Sequence, residues 1–163
     1  MSSPYRHIAC CIAQDEMAAD VIREGLRVAD GDASAVTLVH VVATPSAVDM
    51  SPFAYVAPVA EYRGGAEAWL AGLQGAVPGA RAQVLDGVPA KEVAEWAGSA
   101  GVDLIVAAGR RGFVERALVG GFASHPAYHA PCPVLLIPQR AHREVAGDPI
   151  AAAASADVLS ASE

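Results

Sequence analysis

The sequence predicts an α/β domain built on a five-stranded parallel sheet. Short apolar runs rich in strand formers alternate with segments whose apolar residues recur at helical spacing. The apolar runs are continuous rather than alternating, which is typical of parallel strands because helices cover both faces of such a sheet. A chain of 163 residues is long enough for one core and not clearly for two. We therefore expect one domain over residues 1–140, followed by a tail over residues 141–163.

The first strand–helix–strand unit has the clearest sequence pattern of the chain. HIACCIA, at His7–Ala13, is an apolar run that suits a central strand. Asp15 can cap the next helix, which runs to Ala29 and has an apolar stripe formed by Met17, Val21, Ile22 and Leu26. AVTLVHVV, at Ala35–Val42, is a strongly β-branched second strand. This unit fits a right-handed parallel crossover.

The middle of the chain repeats the alternation after a long loop. Residues 44–58 contain three prolines, and a loop of this length is typical of either a functional lid or a disordered segment. A helix follows over Val59–Val77, with inward-facing residues Ala60, Ala66, Trp69, Leu70 and Leu73. The third strand is Ala80–Leu85. Pro89 suits a helix start, and Lys91–Ser99 is predicted to be helical.

The last part of the domain contains two strands separated by a glycine- and arginine-containing loop. Strand four is Val102–Ala108, and strand five is Pro133–Pro138. Between them a short helix should start near Ser124, because Pro126 is tolerated only in a first turn. Residues 141–163 are rich in alanine and serine. They predict a flexible tail or, as the alternative, a loosely docked helix around Pro149–Leu159.

Composition and charge exclude several classes of partner. The net charge of −7 disfavours nucleic acid and anionic membrane surfaces as partners. No stretch approaches the about 20 apolar residues needed to cross a bilayer, and the first residues lack the layout of a signal peptide. The three cysteines are Cys10, Cys11 and Cys132, and an odd number without an export signal suits a reducing compartment. We expect a cytoplasmic protein.

The loop after strand four is the strongest candidate for a binding site. Gly109 and Gly112 allow the strand to turn, and Gly120–Gly121 precedes the next helical segment. Loops at the carboxyl ends of parallel strands are where α/β sheets bind ligands. Helix-start N–H groups, with Arg110 and Arg111 nearby, would suit a phosphate. The alternative is a tight turn that carries two solvated arginines.

Other polar residues give little support for catalysis. His40, at the end of strand two, either lines the cleft or is satisfied structurally. His125 and His129 share a helix face but have no third ligand nearby, so no metal site is predicted. Ser124 has no evident activating base beyond His125, which leaves a nucleophilic triad unsupported. We therefore predict no catalytic residues.

The order of elements and several stretches resemble the universal stress protein family. These stretches are HIACCIA, VTLVHVV, GVPAKEVAEWAGSAGVDLIVAAG, ALVGGF and HAPCPVLLIP, and the resemblance covers Tyr5–Pro138. It implies a Rossmann-like, adenine nucleotide alpha hydrolase-type three-layer fold. It further implies a homodimer joined through the last strand, Pro133–Pro138. The implied role is that of a regulatory or binding module in stress response, without turnover and with an unidentified protein partner possible.

Many members of this family bind ATP through the motif G-x-x-G, nine residues, then G-[ST], and this chain departs from that motif. Placing Gly120 on the third glycine puts Ala107 on the first and Arg110 on the second. Gly121 then stands where Ser or Thr is expected. The family's acidic residue near the end of strand one falls on Ala13. Arg110 adds bulk where backbone should approach a phosphate, and Ala13 cannot accept hydrogen bonds from a ribose or adenine.

These departures predict weak or absent ATP binding. One lost buried hydrogen bond is worth about 0.5–1.5 kcal/mol, so several together cost about one to three decades in affinity. The resemblance places the cleft between strands one and four, with Val41 beside the adenine. Its predicted lining is Ala13, Val41, Ala107, Gly109, Arg110, Gly120, Gly121 and Phe122. No cofactor is firmly predicted, and ATP with Mg²⁺ is the candidate ligand.

Two other functions stay open from the sequence. The first is an ATP-binding switch, with or without slow hydrolysis, in which Arg110 or Arg111 and the Gly120–Gly121 loop contact the phosphates. The second is a small-molecule enzyme on the same frame. The enzyme is the least supported, because no base–nucleophile constellation emerges from the residues.

Overall fold

The predicted α/β architecture is confirmed. The computed structural model describes residues 2–43, 59–109, 130–139 and 147–156. Within these residues, five strands form one all-parallel sheet in the order β3-β2-β1-β4-β5. The strands are β1 (Ile8–Cys11), β2 (Val36–Ala43), β3 (Arg81–Gly87), β4 (Leu104–Gly109) and β5 (Val134–Pro138). The described helices are α1 (Ala18–Val28), α2 (Val59–Ala76), α3 (Pro89–Ala100) and α4 (Pro149–Ala154), and a 3₁₀ turn, Ala33–Ala35, precedes β2.

The sheet separates two apolar layers. Successive side chains of a strand point to opposite faces, so β1 contributes Ile8 and Cys10 to one layer and Ala9 to the other. The larger layer also contains apolar residues of α1 and α2, including Trp69 and Leu70. The smaller layer is covered by α3. The result is a three-layer arrangement in which β1 is central and buried on both sides, as its continuous apolar run predicts.

Helix α1 begins later than predicted, and small buried residues bring it close to the sheet. The carboxylate of Asp15 accepts a hydrogen bond from Met17 N at 2.8 Å, so Asp15 caps a turn, and the regular helix begins only at Ala18. Of the predicted stripe, Met17, Val21 and Ile22 are buried, whereas Leu26 is half-buried. The turns of the helix that lie nearest β1 contain small residues.

The other elements match their predictions to within a few residues. Strand β1 ends at Cys11 rather than at Ala13, and α3 begins at Pro89 rather than at Lys91. In α2, the predicted inward residues Ala66, Trp69, Leu70 and Leu73 are buried. Ala60 is exposed, so its inward prediction is wrong. Ala60 precedes Ala66 by six residues, which is one and two-thirds turns and carries it off the buried stripe.

The segment after residue 140 contains a docked helix. Asp148 caps α4 by accepting a hydrogen bond from Ile150 N at 3.0 Å, and it forms an ion pair with Arg23 of α1. Trp69 Nε1 of α2 donates to Ala154 O at 3.1 Å. Of the two alternatives for the tail, the docked helix describes Pro149–Ala154. The ion pair and the indole hydrogen bond are tertiary contacts that an alanine-rich composition does not reveal.

Several predictions fall outside the described residues. They are the loop over residues 44–58, the helix predicted to start near Ser124, and the end of the tail over residues 157–163. In the part of the chain that is described, none of the helices combines the length and the apolar character that crossing a bilayer requires.

Candidate functional site

The strand order creates a crevice at the carboxyl edge of the sheet. From β1 the chain proceeds to β2 on one side, whereas β4 lies on the other side of β1 and leads to β5. Connections that depart in opposite directions leave room between them at the ends of the two strands. The point between β1 and β4 is therefore where the fold itself provides a place for a ligand.

The strand register brings three predicted residues to one level of this edge. Cys11 pairs with Val39 on one side and with Ala107 on the other. Two residues after Cys11, Val39 and Ala107 lie Ala13, Val41 and Gly109, and we call these three the edge row. Ile12 N continues the ladder by donating to Val39 O at 2.9 Å, so the chain stays alongside β2 as it reaches Ala13.

The members of the edge row differ in exposure. Ala13 is exposed, and Val41 and Gly109 are half-buried. Ala107 is buried beneath the row, where it packs with Ala90 at the start of α3. The edge row, all of which is described, thus offers a small apolar surface without a charged side chain. Such a surface suits a flat apolar ring and provides no group for acid–base chemistry.

Four predicted site residues lie outside the described residues. They are Arg110, Gly120, Gly121 and Phe122, and Arg111 lies there as well. The structure therefore brings together Ala13, Val41, Ala107 and Gly109. The ligand-binding role of all eight predicted residues stays a prediction.

Gly109 is held close to the neighbouring strand. It pairs with Pro138, and a Cβ atom built on Gly109 would lie 3.3 Å from Ile137 O and 3.7 Å from the Leu136 Cβ. The backbones of β4 and β5 therefore approach closely at the edge, and a larger residue at Gly109 would need one of them to move by a few tenths of an ångström. A glycine at this position is explained by packing as well as by any ligand.

A thiol lies at the base of the edge. Cys11 packs on the small cluster formed by Ala90 and Ala107, together with Val134 and Leu136. Burial in these apolar surroundings, with nearby Cys132 as the second cause, raises the pKa of the Cys11 thiol to about 12. A thiol with this pKa is neutral at pH 7 and a poor nucleophile. Cys11 therefore acts as a small apolar residue.

The turn that follows Ala13 is fixed by Asp15. Asp15 N donates to Ala13 O at 2.8 Å, and the Asp15 carboxylate accepts from Met17 N. The only carboxylate within two residues of Ala13 thus takes part in forming the turn into α1. Asp15 therefore has a structural role in this turn. It lies two residues after Ala13, the position at which the resemblance to the family implies an acidic ligand contact.

His40 has a structural partner, in line with the second of the two interpretations of this residue. Its Nδ1 donates to Ile12 O at 2.9 Å, and its ring meets the Trp69 ring edge-on with centroids 5.3 Å apart. Sequence reasoning missed this contact between β2, α2 and the end of β1. The one signal for it is that His40 is a lone polar ring in the apolar run AVTLVHVV.

Metal-ligating side chains do not gather in the described ranges. No group of three or more His, Cys, Asp or Glu residues is placed there so that it could hold a metal ion. The described part of the site therefore contributes no metal ligands of its own. Any ion at this edge would have to be carried by a ligand or held by residues outside those ranges.

Comparison with known proteins identifies the family of this fold. The sequence model of the universal stress protein family matches residues 4–138 of the chain. That match includes all five described strands and the edge row, but not α4. A search among curated proteins gave no match.

Solved structures give the same picture. The chain is similar to a universal stress protein family member from Burkholderia pseudomallei, at 26% identity and a TM-score of 0.56, with 85% of this chain and 100% of that chain covered. It is similar to the universal stress protein UspA from Lactobacillus plantarum, at 23% identity and a TM-score of 0.52, covering 82% and 97%. A family protein from Arabidopsis thaliana, solved with AMP bound, shares the fold at 18% identity and a TM-score of 0.50, covering 88% and 97%.

Proposed function

The chain belongs to the universal stress protein family, and from that premise we propose that it is a cytoplasmic regulatory module that binds without catalytic turnover. Its binding site is the carboxyl edge between β1 and β4. The observation that carries this proposal is the chemistry of the edge row, where Ala13, Val41 and Gly109 present an apolar surface at the switch point of the sheet. A site of this kind binds by shape and apolar contact.

The ligand class that best fits this edge is an adenine nucleotide, bound weakly. A flat ring can lie on the edge row, and the Arabidopsis relative was solved with AMP bound. Ala13 provides no acceptor for a ribose, and the carboxylate of Asp15 is bonded to Met17 N. Each missing hydrogen bond lowers affinity by about 0.5–1.5 kcal/mol. We therefore expect ATP binding to be weak or absent.

A lack of turnover is supported by the same residues. The edge row contains no acid or base, and the Cys11 thiol at its base is held neutral. The acidic residues of the turn into α1 lie beside the row, and Asp15 serves the backbone there. A general base must be within hydrogen-bond reach of the proton that it removes, and the described row contains none.

Titration of the full-length protein with ATP and Mg²⁺ in a calorimeter tests this proposal. We expect a dissociation constant of about 10 µM or weaker, since one to three decades of affinity are missing relative to a micromolar site. Phosphate release, followed in the same samples, should not exceed that of buffer. A low-micromolar dissociation constant would contradict the proposal and favour the ATP-binding switch. Arg110→Ala would then be expected to weaken binding and reduce its salt dependence.

Association through β5 is part of the proposal. Strand β5 is the last strand of the sheet, so its outer side presents backbone groups that no described strand covers. Four of its five residues are half-buried and apolar, namely Val134, Leu135, Leu136 and Ile137. Apolar edge strands pair readily with a second copy of themselves. We propose that two copies join along this strand.

A further inference from the structure

Helix α4 lies outside the segment that matches the family, yet it is joined to the family core by specific contacts. We propose that docking of α4 is coupled to the carboxyl edge of the sheet, so that release of α4 loosens the end of β1 and a ligand at that edge changes the docking of α4. The inference rests on the proposed function only in taking this edge as the binding site.

The first step of the coupling is the contact between α4 and α2. Ala154, the last residue of α4, is buried, and its carbonyl oxygen accepts a hydrogen bond from Trp69 Nε1 at 3.1 Å. Trp69 is 97% buried, so this indole N–H has no access to water. Release of α4 removes the acceptor of this N–H, which then needs water or another protein group as its partner. Trp69 must therefore respond when α4 leaves.

The second step joins Trp69 to the candidate site. The Trp69 ring packs edge-on against the His40 ring, with centroids 5.3 Å apart. The other side of the His40 ring is fixed, because its Nδ1 donates to Ile12 O at 2.9 Å. Ile12 is followed directly by Ala13 of the edge row. A shift of the indole is thus passed to the backbone at the end of β1 through two rings and one hydrogen bond.

Helix α4 has the properties of an element with two states. Six residues are too few for an isolated helix to be stable in water, so α4 is helical because it is docked. Its docking depends on the Asp148 cap, the ion pair from Asp148 to Arg23, and partial burial of Ile150 and Ala153. Small elements held by few contacts open at lower free energy than the sheet. The proposed coupling therefore connects α4, which opens readily, with the carboxyl edge between β1 and β4.

Two matched substitutions in α4 test the coupling in the full chain. Ala154→Asp places a charge on the buried side of α4, whereas Ala152→Asp places the same charge on the exposed side of the same helix. Hydrogen exchange of the Ile12 amide, which is bonded to Val39 O, reports on the end of β1. The Val102 amide, which is bonded to Ala97 O at the end of α3, is the control amide outside the proposed path.

We expect Ala154→Asp to raise the exchange rate of the Ile12 amide by about fivefold or more, the lower range of typical coupling. Ala152→Asp should leave it unchanged, and the Val102 amide should be unaffected in both. Trp69→Phe, which keeps a ring beside His40 but removes the N–H donor, should act in the same direction as Ala154→Asp. Equal exchange of the Ile12 amide in the two α4 variants would overturn the proposal, as would a parallel rise at the Val102 amide.

Titration of ATP to millimolar concentration, with exchange measured in α4, separates this inference from the proposed function. If the Ile12 amide responds to Ala154→Asp but ATP alters exchange neither at the edge row nor in α4, the coupling stands and the nucleotide site fails. If ATP protects the Ile12 amide while the α4 variants leave it unchanged, the site stands and the coupling is wrong.

Discussion

The histidine at the amino edge of the sheet, His7, has a pKa that the fold lowers. His7 lies opposite the candidate site, with Nδ1 3.1 Å from Ala100 O and Nε2 2.9 Å from the hydroxyl of buried Thr37. Burial, followed by the nearby charge of Arg81, lowers the pKa of His7. The histidine is thus neutral in the folded protein at pH values where an exposed histidine is already charged.

This pKa shift predicts a loss of stability on mild acidification. Because the folded state binds the proton less readily than the unfolded chain, the contribution of His7 is complete above about pH 6.5 and falls as the pH drops from there toward its folded pKa. Thermal unfolding measured from pH 8 to pH 5 should show this loss in the wild type and a smaller one in His7→Gln. Identical pH profiles would contradict this account of His7.

The titration of Asp103, which lies beside His7, falls outside the pH range of that measurement. Its carboxylate accepts from Arg6 N at 2.8 Å and from His7 N at 3.0 Å, and these two bonds lower the pKa of Asp103. A carboxylate with a lowered pKa contributes stability above its unfolded pKa of about 3.9, and loses it only below that value. The window between pH 5 and 8 is therefore free of its titration.

The absence of a side chain at Gly25 allows α1 to lie close to β1. A Cβ atom built on Gly25 would lie 2.2 Å from Cys10 Sγ, a contact that cannot exist without movement of α1 or β1. Gly25→Ala should therefore destabilise the protein by about 1–3 kcal/mol in urea unfolding. Cys10→Ala in the same chain should restore part of that loss by removing the sulfur atom.

A matched control lies in α2. Gly72 is exposed, and a Cβ built there meets nothing within 4 Å, so Gly72→Ala should stabilise the protein by about 0.5–1 kcal/mol through helix propensity. If Gly25→Ala stabilised the protein as Gly72→Ala is expected to, close packing at Gly25 would not be the reason for its glycine.

At the scale of elements, periodicity predicted most of the fold. The continuous apolar runs of β1, β2 and β4 and the helical spacing in α1 and α2 carry enough signal to place them within a few residues. Helix α4 was different, because alanines and serines show no apolar stripe. Its docking comes from Asp148, Arg23 and Trp69, three residues that are far apart in sequence.

The candidate site was predicted in part for a related reason. The resemblance to the family groups Ala13 and Val41 with Gly109, and they meet in the structure because the carboxyl ends of parallel strands lie at one edge. The burial of Ala107 under that edge depends on where α3 begins, because Ala90 covers it. The link from His40 to Ile12 and Trp69 joins three elements and leaves no pattern along the chain.

At the scale of the whole molecule, the proposed association of two copies runs along the edge strand β5. Ile105 N donates to Pro133 O, so alternate residues of β5 direct their backbone groups toward β4, and Leu136 directs its N–H outward. Leu136→Pro would remove that outward donor while sparing the bonds to β4. Sedimentation should show a dimer for the wild type and for the packing control Leu136→Ala, and a monomer for Leu136→Pro. A dimer in all three would exclude pairing along β5.

We propose that the edge between β1 and β4 is a nucleotide site that is weak because Ala13 stands where the resemblance to the family implies an acidic residue. The most direct measurement compares the dissociation constant of ATP with Mg²⁺ for the wild type and for Ala13→Asp. We predict weak or undetectable binding by the wild type and binding about 10-fold tighter by Ala13→Asp, the value of one charged hydrogen bond. Low-micromolar binding by the wild type that Ala13→Asp leaves unchanged or weakens would contradict the account.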